Sequence, residues 1–167
     1  MSIRLAYHEA GHALVALSFG ARVKSVSFGP DGGFVRREPL TPGETPEEIE
    51  RDLVIAFAGP EAERYAPQTW DQWNHGPWLT DGEERALQAT PGTGDSPLSW
   101  ELPSDKDVIE EYTKQLGDEF VERAREFAVE LVDRAYRTGR LEKLADELFI
   151  RGDLTGEEIE RLLAVRA

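Results

Sequence analysis

The sequence predicts a mainly α-helical protein with one small β-hairpin near its N-terminus and a helical bundle at its C-terminal end. Three observations carry that expectation. Apolar residues recur at helical spacing over residues 2–19, and again from residue 104 onward. The period drops to two over residues 22–37. The 167 residues, 40% hydrophobic and 31% charged, suit one domain (1–167) with a core of ordinary size.

Each element has a local reason. Leu5, Ala6, Ala13, Leu14, Ala16, Leu17 and Phe19 give residues 2–19 a helical apolar pattern, which Ser2 can cap and Gly20 ends. Further on, Val23, Ser25 and Ser27 alternate with Lys24, Val26 and Phe28, and Pro30-Asp31-Gly32-Gly33 reads as a turn into a second strand with Phe34 and Val35. After a Pro/Gly-rich loop at 38–44, Thr45-Pro46-Glu47-Glu48 is a capping box with proline in the first turn. It opens a helix through Ile49, Leu53, Val54 and Phe57 to Tyr65, which Gly59-Pro60 is expected to kink or split.

Residues 66–103 form an irregular, Trp-rich insert holding all four tryptophans (Trp70, Trp73, Trp78, Trp100) and His75, with a short helix expected at 81–90. A stretch of this length without regular structure is usually a functional loop. Ser104 and Asp107 resemble a capping box for a helix with Val108, Ile109, Tyr112 and Leu116 on one face. A longer helix follows from 118 to 138, with Phe120, Ala124, Phe127, Leu131 and Ala135 expected inward and Gly139 ending it. Residues 140–150 and 156–165 read as two short helices, the last capped by Thr155 and Glu158.

Composition excludes several classes of function. A net charge of −14 repels nucleic-acid phosphates and anionic lipid, so neither is an expected partner. The absence of cysteine rules out a disulfide framework, thiolate-ligated zinc and thiol catalysis. No apolar run approaches the roughly 20 residues that span a bilayer. Arg4, His8, Glu9 and His12 break up the N-terminal apolar residues, so no secretory signal is read there. A cytoplasmic chain without a membrane segment is the expectation.

The chemistry lies in Tyr7-His8-Glu9-Ala10-Gly11-His12, a His-Glu-x-x-His motif on the first helix. Residues four apart stand one helical turn apart on the same face, so two imidazoles there can share one Zn²⁺ at about 2.0–2.1 Å each. Glu9, beside the first histidine, is placed to act on a water that the metal acidifies, first as base and then as proton donor to a leaving amine. The expectation is a zincin-like metallopeptidase with His8 and His12 as metal ligands and Glu9 as the catalytic base. A third ligand is needed. A third histidine six residues after His12 is ruled out, because that position is Ser18. A carboxylate at the start of a later helix serves better, and Ser104-Asp105-Lys106-Asp107 offers both Asp105 and Asp107; His75 is a weaker candidate.

These residues resemble the peptidase domain of the FtsH family of ATP-dependent zinc proteases. Residues 6–15, Ala-Tyr-His-Glu-Ala-Gly-His-Ala-Leu-Val, look like that family's zinc helix nearly letter for letter. The Val23–Phe28 strand stands where the family has a strand beside the active site. Ala56-Phe57-Ala58-Gly59-Pro60-Glu61-Ala62-Glu63 resembles its helix with an Ala-Gly-x-x-Ala-Glu pattern, with Pro60 a departure, and 141–145 and 154–159 resemble its C-terminal helices. The likeness is weak over 66–103. In the family the third ligand is an aspartate that opens a helix after Ser-Asn. The resemblance therefore favours Asp105, followed by apolar residues three, four, seven and eleven positions later, over Asp107. Glu63 stands where a carboxylate can orient a ligand histidine or simply face solvent.

The resemblance implies a zinc-dependent metalloendopeptidase acting on peptides or unfolded protein, with ring-like self-association as in the family. The 167 residues hold no Gly-x-x-x-x-Gly-Lys-Ser/Thr phosphate loop. The expected activity is therefore ATP-independent, with a separate ATPase partner left open. An extended substrate is expected to add to the edge of the 23–28 strand, with Phe28, Phe34 and the insert's tryptophans shaping specificity. The alternative is a zinc-loaded peptide-binding or regulatory module with little or no turnover.

Overall fold

A computed structural model describes residues 2–29, 32–38, 45–67 and 105–164. The expected Pro30-Asp31 turn, residues 68–103 of the Trp-rich insert with its tryptophans, His75 and 81–90 helix, and the Ser104 cap lie outside the described residues.

The first helix, α1, spans Ile3–Ser18 and leaves through Gly20, whose φ of 77° gives the left-handed turn that ends it. Its buried residues surround the helix: Ala6, Ala10 and Ala13 are fully buried, and Tyr7, Leu14 and Val15 nearly so. The reason is position. Helix α2 (Pro46–Ala62), helix α5 (Arg140–Arg151) and the hairpin strands β1 (Val23–Gly29) and β2 (Gly32–Arg37) all pack around it.

The hairpin forms as expected, antiparallel and closed by Gly29 opposite Gly32. A register shift between Val23 and Ser25 changes its faces. Strict alternation would put Val23 on the face opposite Val26 and Phe28. The bulge turns Val23 back, and all three are buried. Strand β3 (Asp153–Thr155) then pairs with β1 on its other side, with Leu154 opposite Val26, giving the order β2-β1-β3. This overturns the expected substrate edge: β1 is the central strand, and the sheet's edges are β2 and β3. Three residues more than a hundred positions away, too few for a periodic signal, take the edge that sequence left open.

Helix α2 starts at the predicted capping box. Thr45 Oγ1 accepts from the Glu48 backbone N–H at 3.3 Å, and Glu48 accepts from the Thr45 N–H at 3.1 Å. Pro60 does not split it; the helix runs through to Ala62 and tightens into a 3₁₀ turn at Glu63–Tyr65. Proline removes one backbone donor, yet the helix keeps its course for two residues beyond it.

Helix α3 (Asp105–Leu116) leads to α4 (Asp118–Arg137), which ends at Gly139 with φ 70°. The buried stripe of α4 is Val121, Ala124, Ala128 and Val132; of the predicted set Ala124 belongs to it, Phe120, Leu131 and Ala135 pack against the core partly buried, and Phe127 does not. Small residues allow α4 to lie close on α2, and the larger ones flank the contact, with Phe127 39% exposed. Leu141, Leu144 and Leu148 of α5, Leu154 of β3 and Ile159 of helix α6 (Gly156–Ala164) join the same core as α1 and α2. The architecture is mainly helical with a small three-stranded sheet among the described residues. No helix among them is long and apolar enough to cross a membrane.

Two features make the fold testable. A Cβ on Gly11 would lie 2.5 Å from the Ala58 carbonyl oxygen and 2.5 Å from Ala62 Cβ. Helix propensity alone favours Gly11→Ala by about 1 kcal/mol. The steric conflict with backbone is expected to reverse that sign and destabilise the protein by about 1–3 kcal/mol, read as a lower midpoint in urea unfolding. Glu158 accepts from the Thr155 N–H at 2.8 Å and from Arg151, and these bonds hold its carboxyl down to about 2. Its contribution is therefore complete above the ordinary glutamate value and lost as pH falls toward 2. Glu158→Gln should lower the thermal midpoint at pH 7 and flatten the acid side of the stability curve relative to wild type.

Candidate metal centre

Three side chains converge at the interface of α1, α2 and α3. His8 and His12 stand one turn apart on α1, with their rings edge to face and centroids 4.6 Å apart. Their Nε2 atoms are 2.9 Å from each other. From the first residue of α3, Asp105 brings Oδ2 to 3.0 Å from His12 Nε2 and 3.3 Å from His8 Nε2. The potential ligand atoms of this group all lie within 4.8 Å of one another. Asp107, the other aspartate weighed from sequence, is exposed on α3 and does not belong to the group.

The far side of each ring fixes its chemistry. His12 Nδ1 lies 2.7 Å from the Ile55 carbonyl oxygen. A carbonyl only accepts, so Nδ1 carries the proton, and in the neutral ring Nε2 presents a lone pair to the centre. His8 Nδ1 donates to Glu63 Oε1 at 2.6 Å, which turns its Nε2 inward in the same way. Two imidazole nitrogens and a carboxylate oxygen thus face one another across about 3 Å. Such a set of electron-pair donors is stable only with a positive charge among them. A proton or a metal ion can supply that charge, and the two compete for the same nitrogens.

The electrostatics follow. Burial works against a charged His8, but hydrogen bonds to Asp105 and Glu63 outweigh it and raise its pKa to about 10. Burial would likewise raise Asp105, and hydrogen bonds from His12 and His8 overcome it, holding the carboxyl well below the usual carboxylate range. Glu63 is also lowered against its burial, by the hydrogen bond and charge of His8 and by Arg4. Glu9 behaves oppositely. It is 4% exposed, and burial pushes its carboxyl up while His12 and His8 pull against the shift.

Glycines make room for these groups. A Cβ on Gly59 of α2 would lie 2.6 Å from His8 Nε2 and 2.7 Å from His12 Cε1. A Cβ on Gly33 of β2 would lie 2.6 Å from Glu9 Oε1. Sequence reasoning named Glu63 as one that can orient a ligand but missed the Ile55 carbonyl, Arg4, Gly33 and Gly59. The Ile55 carbonyl has no sequence signal, since every residue has a carbonyl. The conjunction of Gly59 with a helix that must approach the histidines was a usable one.

No family model matches the chain. Over 97% of its length the chain is 30% identical to the ATP-dependent zinc metalloprotease FtsH 1 of Sorangium cellulosum (strain So ce56), and it spans 30% of that protein's length. The chain is therefore distantly related to a zinc metalloprotease, and a His/His/Asp group able to hold a metal lies within the related region.

Gly59→Ala should displace both imidazoles while leaving a helix-favouring residue in α2. Metal affinity, measured with Zn²⁺ as the probe by competition with a chromophoric chelator, is expected to fall at least about 10-fold, within the range for residues that support a metal site. Unchanged affinity in a folded variant would show that the rings do not need this clearance.

Proposed function

We propose that the chain is a zinc-dependent metallopeptidase that hydrolyses peptide bonds in peptides or unfolded protein. The observation that carries this reading is the convergence of two imidazole nitrogens and the Asp105 carboxylate on one point, with Glu9 buried beside them. The distant relationship to a zinc metalloprotease supports it.

His8, His12 and Asp105 would hold the metal. Their two nitrogens and one oxygen are the donor types zinc takes at catalytic sites, and three protein ligands leave one position open. Bound there, zinc supplies a Lewis acid that acidifies water and polarises a carbonyl. Glu9 is the base: its carboxylate takes the proton of the attacking water and returns it to the leaving amine nitrogen. Burial raises its proton affinity and suits it to both steps. Ile55 and Glu63 keep the imidazoles in the tautomer that presents Nε2. An extended substrate adds along the β2 edge, whose Gly33 lies against Glu9 and whose Phe34, 46% exposed, can meet a substrate side chain. The zincin-like reading of the domain rests on this arrangement of helix, metal ligands and edge strand.

The decisive experiment pairs metal content with turnover. Wild type is expected to carry about one zinc per chain and to cleave an unfolded protein such as casein. Glu9→Gln should keep the zinc and lose about 10²–10⁴-fold of the activity. Hydrolysis that survives this change with zinc in place would remove Glu9 from the base role. Peptide binding without cleavage by zinc-loaded wild type would favour the binding-module reading, and wild type that takes up no zinc would sink both.

A further inference from the structure

The Glu63 carboxylate that receives His8 is itself held from the other side. Arg4 lies on α1 one turn before His8, so both side chains leave the same helix face. Arg4 Nε donates to Glu63 Oε2 while His8 Nδ1 donates to Oε1 at 2.6 Å. The carboxylate is thus gripped at both oxygens by two residues of α1, from its own position where α2 passes into the 3₁₀ turn. The Arg4 and Glu63 side chains are 32% and 20% exposed, which leaves the pair partly shielded from solvent screening.

An exposed ion pair of this kind would add little to stability. Here the carboxylate has a second task. A glutamate has three rotatable bonds, and with His8 as its sole anchor it could rotate out to water and take the His8 Nδ1 hydrogen bond with it. The guanidinium, planar and with donors in a fixed fork, restricts the plane of the carboxylate in a way an ammonium does not.

We propose that Arg4 is a positioning residue of the metal centre: by fixing Glu63 it fixes the tautomer and ring plane of His8, and so sets how tightly the site holds zinc. This rests on the reading of His8, His12 and Asp105 as zinc ligands. Arg4 touches neither metal nor substrate; it acts through Glu63 and His8.

The test is zinc affinity by chelator competition on the full chain, for wild type, Arg4→Met, Arg4→Lys, Glu63→Gln and the Arg4→Met/Glu63→Gln double variant. Thermal midpoints and the NMR signal of the His8 Nδ1 proton in the zinc-loaded protein are followed alongside. Arg4→Met should weaken zinc binding about 10-fold, at the lower end of the range for outer-shell partners. It should also move the His8 proton signal upfield and leave the thermal midpoint near that of wild type. Arg4→Lys should recover part of the affinity. The double variant should bind no more weakly than Glu63→Gln, because both changes break one chain of bonds. Wild type that binds zinc while Arg4→Met binds it equally well overturns the Arg4 role alone, as does a double variant whose losses multiply. Wild type that binds no zinc overturns the metal-centre reading and this inference with it.

Discussion

The close crossing of α1 and α2 is the constraint on which the rest of the site depends. Gly11 admits the Ala58 carbonyl and the Ala62 side chain, and Gly59 admits the two imidazoles from the opposite direction. The two glycines are one device used reciprocally, each helix giving up a side chain where the other needs space. Ala58 and Ala62 are fully buried in this contact. Because the backbones lie this close, the Ile55 carbonyl comes within 2.7 Å of His12 Nδ1, and Glu63 at the end of α2 within 2.6 Å of His8 Nδ1. A wider crossing would free both rings at once.

Electrostatics build on that geometry. The whole chain carries a net charge of −14, yet the centre itself asks for a cation, because three electron-pair donors point inward. Two carboxylates beside the same histidines are driven apart. Asp105 receives their hydrogen bonds and is held ionised; Glu9 is buried and is pushed toward its neutral form. One fixed anion and one carboxyl that can exchange a proton are what the proposed division between ligand and base requires. The difference arises from placement: Asp105 projects from the start of α3 onto the Nε2 atoms, whereas Glu9 lies under Gly33 of β2.

Much of this was legible in the sequence wherever the signal was local. The capping boxes at Thr45-Glu48 and Thr155-Glu158 and the helix-ending Gly20 and Gly139 depend on a few adjacent residues, and they stand where those residues place them; the hairpin also forms, although Gly32 and Gly33, read as turn, belong to β2. The His-Glu-x-x-His spacing fixed which histidines share a helix face. What failed was non-local or a matter of degree. Strand β3 is too short for a period, and its pairing with β1 is set by the turn at Gly152, whose carbonyl accepts from the Phe28 N–H at 2.7 Å. The inward stripe of α4 was placed correctly at Ala124 but missed Val121, Ala128 and Val132, which the approach of α2 buries. Pro60 looked like a break because proline cannot donate to the helix ladder, yet α2 continues to Ala62.

The C-terminal third, expected from sequence to serve packing or self-association, has a more direct bearing on the site. Strand β3 pairs with β1 at Ser25, Val26 and Ser27, and α5 and α6 hold it there through Leu148, Leu154 and Ile159, all essentially buried. Strand β1 in turn fixes the register of β2 through Phe28 opposite Gly33. Gly33 covers Glu9. A chain of backbone pairings therefore runs from residues 153–155 across the sheet to the Glu9 carboxyl, beside the proposed metal ligands. A one-residue slip of β2 against β1 would reverse the faces of β2 and bring a side chain, in place of hydrogen, against Glu9. Two strands without the third would leave the placement of Gly33 to a hairpin that is marginal on its own.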